Sequence, residues 1–91
     1  MGEAKRGAEA FEQIDNNIKA VDEATAAHRA GRETPDNVID LIGRSHRLIA
    51  DCAGRGQDAG RLAELESRLR RAEDEFWHSR DALQTARRRR T

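Results

Sequence analysis

The sequence has little of what disulfide-rich and membrane proteins need. Cys52 is the single cysteine among 91 residues, so an intramolecular disulfide is excluded, and with it a disulfide-stapled secreted mini-protein. There is one proline, there is no tyrosine, and aromatic residues make up only 3% of the chain. No apolar run is long enough for a membrane span or the core of a signal peptide, which predicts a cytoplasmic location and no membrane contact.

What the sequence does have is charge and helix-forming residues. Charged residues make up 37% and apolar residues 36% of the chain. Alanine, glutamate, arginine and leucine dominate, and all four are good helix formers. This polar balance is typical of long amphipathic helices that each bury one stripe. We therefore predict a single all-α domain over residues 1–91.

The first helix is predicted over about residues 3–30. Gly31 is predicted to end it, because glycine adopts the left-handed conformation without strain. Apolar or small residues recur at steps of three and four, which places them on one face of the helix. These residues are Ala4, Gly7, Phe11, Ile14, Ile18, Val21, Thr25 and His28.

The second helix is predicted over about residues 35–53. Thr34 is a candidate cap, Pro35 suits the first helical turn, and Asp36 places negative charge at the positive end of the helix dipole. Gly54 and Gly56 are predicted to end the helix. Its apolar stripe is wider than a coiled-coil seam, which indicates a central helix that touches two neighbours. The stripe consists of Val38, Leu41, Ile42, Ser45, Leu48, Ile49 and Cys52, with Ile39 beside it.

The third helix, over about residues 58–88, has the strongest periodicity in the chain. Both connecting loops are short, which favours antiparallel neighbours. We therefore predict a three-helix antiparallel bundle with long first and third helices and coiled-coil-like packing, and with Leu48, Leu65 and Leu69 in its core. The stripe of the third helix is Leu62, Leu65, Leu69, Ala72, Phe76, Ser79, Leu83 and Ala86.

The predicted helices differ in length. At 1.5 Å per residue, the first and third helices would each be roughly 40–45 Å long, and the second only about 28 Å. The third helix is thus expected to project past the bundle beyond about Trp77. Leu83 and Ala86 continue the apolar seam there, and an apolar seam without a partner in its own chain predicts a second chain. We expect a homodimer.

Candidate catalytic, cofactor and metal sites are not expected. Among the soft metal ligands, no two of His28, His46 and Cys52 have the spacing of a metal site. There is also no glycine-rich phosphate loop, no Ser/His/Asp constellation and no pair of carboxylates on a buried face. Polar residues in the apolar stripes have two interpretations, control of helix register or a polar ligand cavity. They are Thr25, His28, Ser45 and Ser79.

The candidate partner-binding surface is the C-terminal half of the third helix. Trp77, the single tryptophan, lies beside the apolar stripe, and it either anchors an interface or covers the second helix near Val38. Arginine and aromatic residues are enriched in interfaces. The predicted binding residues are Trp77, Arg80, Leu83, Gln84, Arg87, Arg88, Arg89 and Arg90.

Charge is unevenly placed although the formal net charge is zero. Four of the 17 basic residues are at positions 87–90, so the rest of the chain, with 17 acidic residues, carries −4. The tail can bind phosphates, bind an acidic protein surface, or simply suit the negative end of a helix. We expect a non-enzymatic module that binds a partner protein with an acidic surface, such as a small bacterial or phage regulator, inhibitor or chaperone-like adaptor. The alternative is a small nucleic-acid-associated regulator that uses the tail.

Overall fold

The computed structural model describes residues 2–34, 37–56 and 58–90, with side chains from residue 9 to residue 89 of those ranges. Within them the chain forms three α-helices and no strand: α1 (Gly2–Arg29), α2 (Asn37–Gly54) and α3 (Ala59–Arg90). These bounds lie within two residues of the predicted ones, and the all-α three-helix bundle is confirmed. The predicted first turn of the second helix, at Pro35 and Asp36, lies outside the described residues.

Consecutive helices run in opposite directions, so α1 and α3 run in the same direction. Asp15 of α1 pairs with Arg68 of α3 at 2.8 Å. Further along both helices, near one end of the bundle, His28 of α1 lies 3.0 Å from Ser79 of α3. α1 and α3 share the most extensive helix–helix contact. The result is an elongated bundle of 57 × 18 × 16 Å.

The core is a continuous apolar cluster between the three helices. Leu65 and Leu69, predicted as core, are 1% and 0% exposed. Leu48, also predicted as core, is only half-buried and packs against the edge of the cluster. Leu48 lies at the edge of the apolar stripe, whereas the adjacent Ile49 lies at its buried centre. The buried face of α2 is therefore narrower than predicted. That face consists of Val38, Ile42, Ser45, Ile49 and Cys52.

α1 has a second buried edge that its main apolar stripe does not reveal. Ala10, Asn17 and Ala24 follow one another at seven-residue steps, and each is buried or half-buried. Asn17 accepts a hydrogen bond from the Nε2 of Gln13 at 2.9 Å. Since each helix of a three-helix bundle meets two neighbours, its buried face must be wider than a single seam.

The helix ends place the connecting loops. Gly31 has a φ of 79°, and the N–H groups of Gly31 and Arg32 donate to the carbonyls of His28 and Ala27, at 3.0 and 2.8 Å. These two bonds form a Schellman motif, which ends α1 at a defined residue and turns the following loop back across the bundle end. At the start of α3, the Asp58 carboxylate accepts from the N–H of Arg61 at 3.1 Å and so caps that helix.

Candidate functional site

The candidate site lies at the bundle end where α1 stops and α3 continues. Phe76 of α3 is 2% exposed and closes the core there, with its ring 5.1 Å from the ring of His28. Beyond Phe76, the loop after α1 lies along α3, and Glu33 of the loop forms an ion pair with Arg87. The site is therefore built by two segments that are far apart in sequence.

α3 projects past the end of α1, but the projection begins later than the predicted position beyond Trp77. Leu83 is half-buried against its own chain rather than exposed, and it borders two recesses that also contain His28. His28, near the end of α1, lies opposite Ser79, and the loop residues Glu33 and Thr34 border the part of α3 that follows. Ala86, by contrast, is exposed, so the projecting part of the seam is shorter than predicted.

His28 connects α1, the loop and α3. Its Nδ1 lies 3.0 Å from the hydroxyl of Ser79, and its Nε2 lies 3.0 Å from the hydroxyl of Thr34. Ser79 donates its one hydroxyl proton to the carbonyl of Phe76 at 2.8 Å. The Ser79 oxygen then accepts from Nδ1–H. Burial lowers the pKa of His28 and so favours the neutral ring, in which Nε2 accepts from the Thr34 hydroxyl.

The four polar stripe residues do not form one polar cavity. Thr25 and Ser45 donate to the carbonyls of Val21 and Leu41, four residues earlier in their own helices. His28 and Ser79 instead join two helices across the buried interface. Such a pair is satisfied only in one register, which supports the register interpretation for these two residues.

Two recesses border His28 of this polar pair, and the second also borders Ser79. The first has a volume of about 180 Å³, with a buried or half-buried floor and a polar, mostly exposed rim. Its floor consists of His28, Thr34, Ile39, Phe76 and Leu83, and its rim of Glu33, Arg80, Gln84 and Arg87. The second recess, of about 310 Å³, lies along Ala82 and Ala86 and shares His28, Leu83 and Arg87 with the first.

Trp77 stands just outside the first recess. It is 37% exposed, and its ring meets the edge of Phe76 with 5.3 Å between the centroids. The guanidinium carbon of Arg80 lies 5.5 Å from the Trp77 ring centroid, within the range of a cation–π contact. Arg80 also lines the recess, so it links the exposed aromatic ring to the charged rim.

The predicted binding residues thus separate into three groups. Four of them come together around the first recess: Arg80, Leu83, Gln84 and Arg87. Trp77 joins them through Arg80. Arg88 and Arg89 lie further along α3 on exposed positions, and the side chain of Arg90 lies outside the described residues.

Five residues that line the first recess were not predicted as binding residues. Ile39 and Phe76 were placed beside or in the apolar stripes, and the other three, His28, Glu33 and Thr34, lie at the end of α1 and in the loop after it. The sequence signal that bears on them is Gly31, which predicts a tight turn after α1. That signal places the loop near the end of α1. It does not say which residues of α3 the loop meets, because that depends on the register between α1 and α3.

Metal binding finds no geometric support in the described part of the chain, where no three His, Cys, Asp or Glu side chains cluster to hold an ion. Cys52 is a buried free thiol, and burial raises its pKa. Over the described residues, none of the helices combines the length and the apolar character that crossing a membrane requires. No protein-family model matches the chain, and no curated protein or solved structure matches it either.

Because His28 is buried in its neutral form, we expect the folded protein to be less stable at acidic pH. Burial, and secondarily the charge of Arg80, lowers the pKa of His28. The unfolded chain therefore takes up a proton at higher pH than the folded chain, and the free energy of unfolding should fall as the pH drops below about 6.5. We expect urea unfolding at about pH 7.5 and 5.5 to show a smaller pH effect for His28→Gln than for the unmodified chain.

The matched control is His78→Gln. His78 is exposed, and its ring lies 2.7 Å from the carbonyl of Asp74 in its own helix, so it joins no second element of the bundle through this bond. This variant should keep the full pH dependence. Equal pH dependence for the His28→Gln and unmodified chains would show that His28 is not the titrating group.

Proposed function

We propose that this protein is a non-enzymatic interaction module that binds an acidic surface of a partner protein with the second half of α3. The observation that carries the proposal is Trp77, which is 37% exposed and has the Arg80 guanidinium over its ring. Aromatic and arginine side chains supply most interface hot spots. A preformed Trp–Arg pair also loses little side-chain freedom on binding.

The distribution of charge supports an acidic partner. Arg80 and the basic run at positions 87–90 lie towards one end of α3, whereas the chain without that run carries a net charge of −4. Complementary charge speeds encounter and orients the partner, while a desolvated aromatic anchor supplies affinity. The small size fits a bacterial or phage regulator, inhibitor or chaperone-like adaptor that acts in the cytoplasm.

The second candidate function is binding of nucleic acid through the basic tail. α3 continues as a helix to Arg90, and Arg87 and Arg89 are exposed on it, which favours contact with phosphates. Against it, Trp77 lies about ten residues before the tail, so no described aromatic ring is placed among these arginines for base stacking. We therefore rank the protein partner first.

A photo-crosslinking residue tests the proposal while the partner is still unidentified. It is placed at Gln84, on the recess rim, and in a matched variant at Glu23, an exposed position on α1. In extract of the native host, we expect a protein adduct from position 84, none from position 23, and loss of the adduct when Trp77→Ala is added. A nucleic-acid adduct would favour the second candidate, and equal adducts from both positions would overturn the proposal.

We also propose that two copies of the chain associate along α3. Ala82 and Ala86 are exposed, lie four residues apart and border the second recess, so a second α3 can approach this face closely. Light scattering should then give about twice the 10.2 kDa of one chain at high micromolar concentration. Ala86→Glu should shift the mass towards the monomer, whereas Ala63→Glu, near the start of α3, should not. A monomer at all concentrations would contradict the association.

A further inference from the structure

Arg87, one of the arginines of the proposed binding surface, already has a carboxylate partner in its own chain. Glu33 reaches it from the loop that the Gly31 turn directs towards α3. The two side chains are 49% and 72% exposed. Exposed ion pairs of this kind are weak, because water solvates both charges well in the separated state. Another carboxylate can therefore replace Glu33 at little cost.

The first recess has the composition expected of a site for an acidic side chain. Ile39, Phe76 and Leu83 provide an apolar floor for methylene groups. Arg80 and Arg87 lie on the rim, and the exposed Gln84 adds an amide beside them. The guanidinium carbon of Arg80 lies 5.5 Å from the Trp77 ring centroid, and a planar guanidinium has enough N–H donors to give a carboxylate two parallel hydrogen bonds.

His28 and Thr34 contribute to the site in a different way. Their hydrogen bonds to each other and to Ser79 occupy both ring nitrogens of His28 and hold the loop against α3. The imidazole is neutral, so the positive charge of the recess comes from Arg80 and Arg87. The loop is thus anchored at Thr34, while Glu33 beside it stays exposed and exchangeable.

We propose that this recess binds a glutamate or aspartate side chain of the partner protein, and that Glu33 acts as an intramolecular competitor for Arg87 in the free chain. This inference rests on the proposed function and names the chemical group that the surface recognises. Binding exchanges one carboxylate for another on Arg87, so the affinity is reduced by the strength of the Glu33 pair. For an exposed pair, the reduction amounts to about two- to fivefold.

The test uses an end-blocked hexaglutamate peptide as the probe and the full chain as the receptor. Trp77 is the single tryptophan and the chain has no tyrosine, so its emission reports on this surface alone. Since Arg80 contacts both the recess and the Trp77 ring, occupation of the recess should change that emission. Glu33→Gln is expected to tighten peptide binding by about two- to fivefold.

The matched control is Glu66→Gln. Glu66 pairs with Arg70 at 2.8 Å on an exposed part of α3 that does not border the recess, and the substitution removes the same charge as Glu33→Gln. An equal gain in both variants would show only a general charge effect and would overturn the competition. Arg87→Gln should weaken binding and also abolish the gain from Glu33→Gln.

The remaining outcomes separate this inference from the proposed function. Peptide binding that changes Trp77 emission but is insensitive to Glu33→Gln would overturn the competition and leave the acidic-partner proposal standing. Failure of hexaglutamate to bind would overturn the carboxylate site, and the crosslink at position 84 would then decide the proposed function independently. Tighter binding of a hexathymidylate oligonucleotide than of the peptide would assign the recess to phosphate and favour the nucleic-acid function.

Discussion

Leu69→Ala is expected to lower the free energy of unfolding by roughly 2–5 kcal/mol, the range for a leucine removed from a packed core. Leu69 is 0% exposed and lies in the core cluster between Leu65 and Ala72 of α3. Truncation removes apolar contact and leaves a cavity that the surrounding helices fill only partly. The free energy of unfolding of a natural domain is only about 5–15 kcal/mol. The variant should therefore contain a larger unfolded fraction at moderate temperature.

Urea unfolding followed by circular dichroism measures this change. Leu83→Ala is the matched control, because it removes the same atoms from a half-buried position at the bundle end. Its effect should be clearly smaller, since less apolar surface is lost from the interior. A loss below about 0.5 kcal/mol for Leu69→Ala, as surface sites show, would place this residue outside the core.

Trp77→Ala is expected to weaken binding of the partner protein by roughly 30-fold or more, corresponding to the 2 kcal/mol that defines a hot spot. The indole is large and partly exposed, and it contacts both the Phe76 ring and the Arg80 guanidinium. A partner that covers it gains apolar contact without having to order it first. The substitution should leave the fold intact, because Trp77 lies outside the apolar core cluster.

Arg89→Ala is the comparison for this prediction. Arg89 is exposed near the end of α3, so its loss should mainly lower the association rate and the sensitivity to salt. Binding of both variants is measured across a salt series. If nucleic acid is the partner, each lost phosphate contact should reduce the salt slope by about one, and Trp77→Ala should matter little. Full protein binding by a variant that carries both changes would place the functional surface elsewhere, such as the outer face of α1.

Most of the fold follows from local pattern. Leu62, Leu65 and Leu69 repeat at three- and four-residue steps, and all three are buried as this spacing predicts. Leu48, predicted as core, is half-buried against the edge of the core, and this difference has a physical reason. A stripe wider than one seam contains more apolar residues than the neighbours can fully cover, and the angle between helices decides which of two adjacent residues, Leu48 or Ile49, is buried more deeply.

The candidate site was predictable only on the side of α3. Arg80, Leu83, Gln84 and Arg87 share one flank at steps of three and four, and the structure gathers them around one recess. Glu33 and Thr34 follow a glycine turn, and their position against α3 depends on how far α1 extends along it. In that register the buried side chains of His28 and Ser79, 51 residues apart in sequence, form a hydrogen bond. Spacing within one helix carries no information on such a pair.

The length of the bundle affects how its mass is measured. Its radius of gyration is 15.4 Å, whereas a compact domain of this size would have about 12 Å. The same radius belongs to a compact chain of roughly 170 residues, nearly twice the length of this one. A single copy should therefore elute early from a size-exclusion column calibrated with globular standards, with an apparent molecular mass close to that of a dimer. Slow end-over-end tumbling would likewise broaden its NMR lines more than 91 residues suggest.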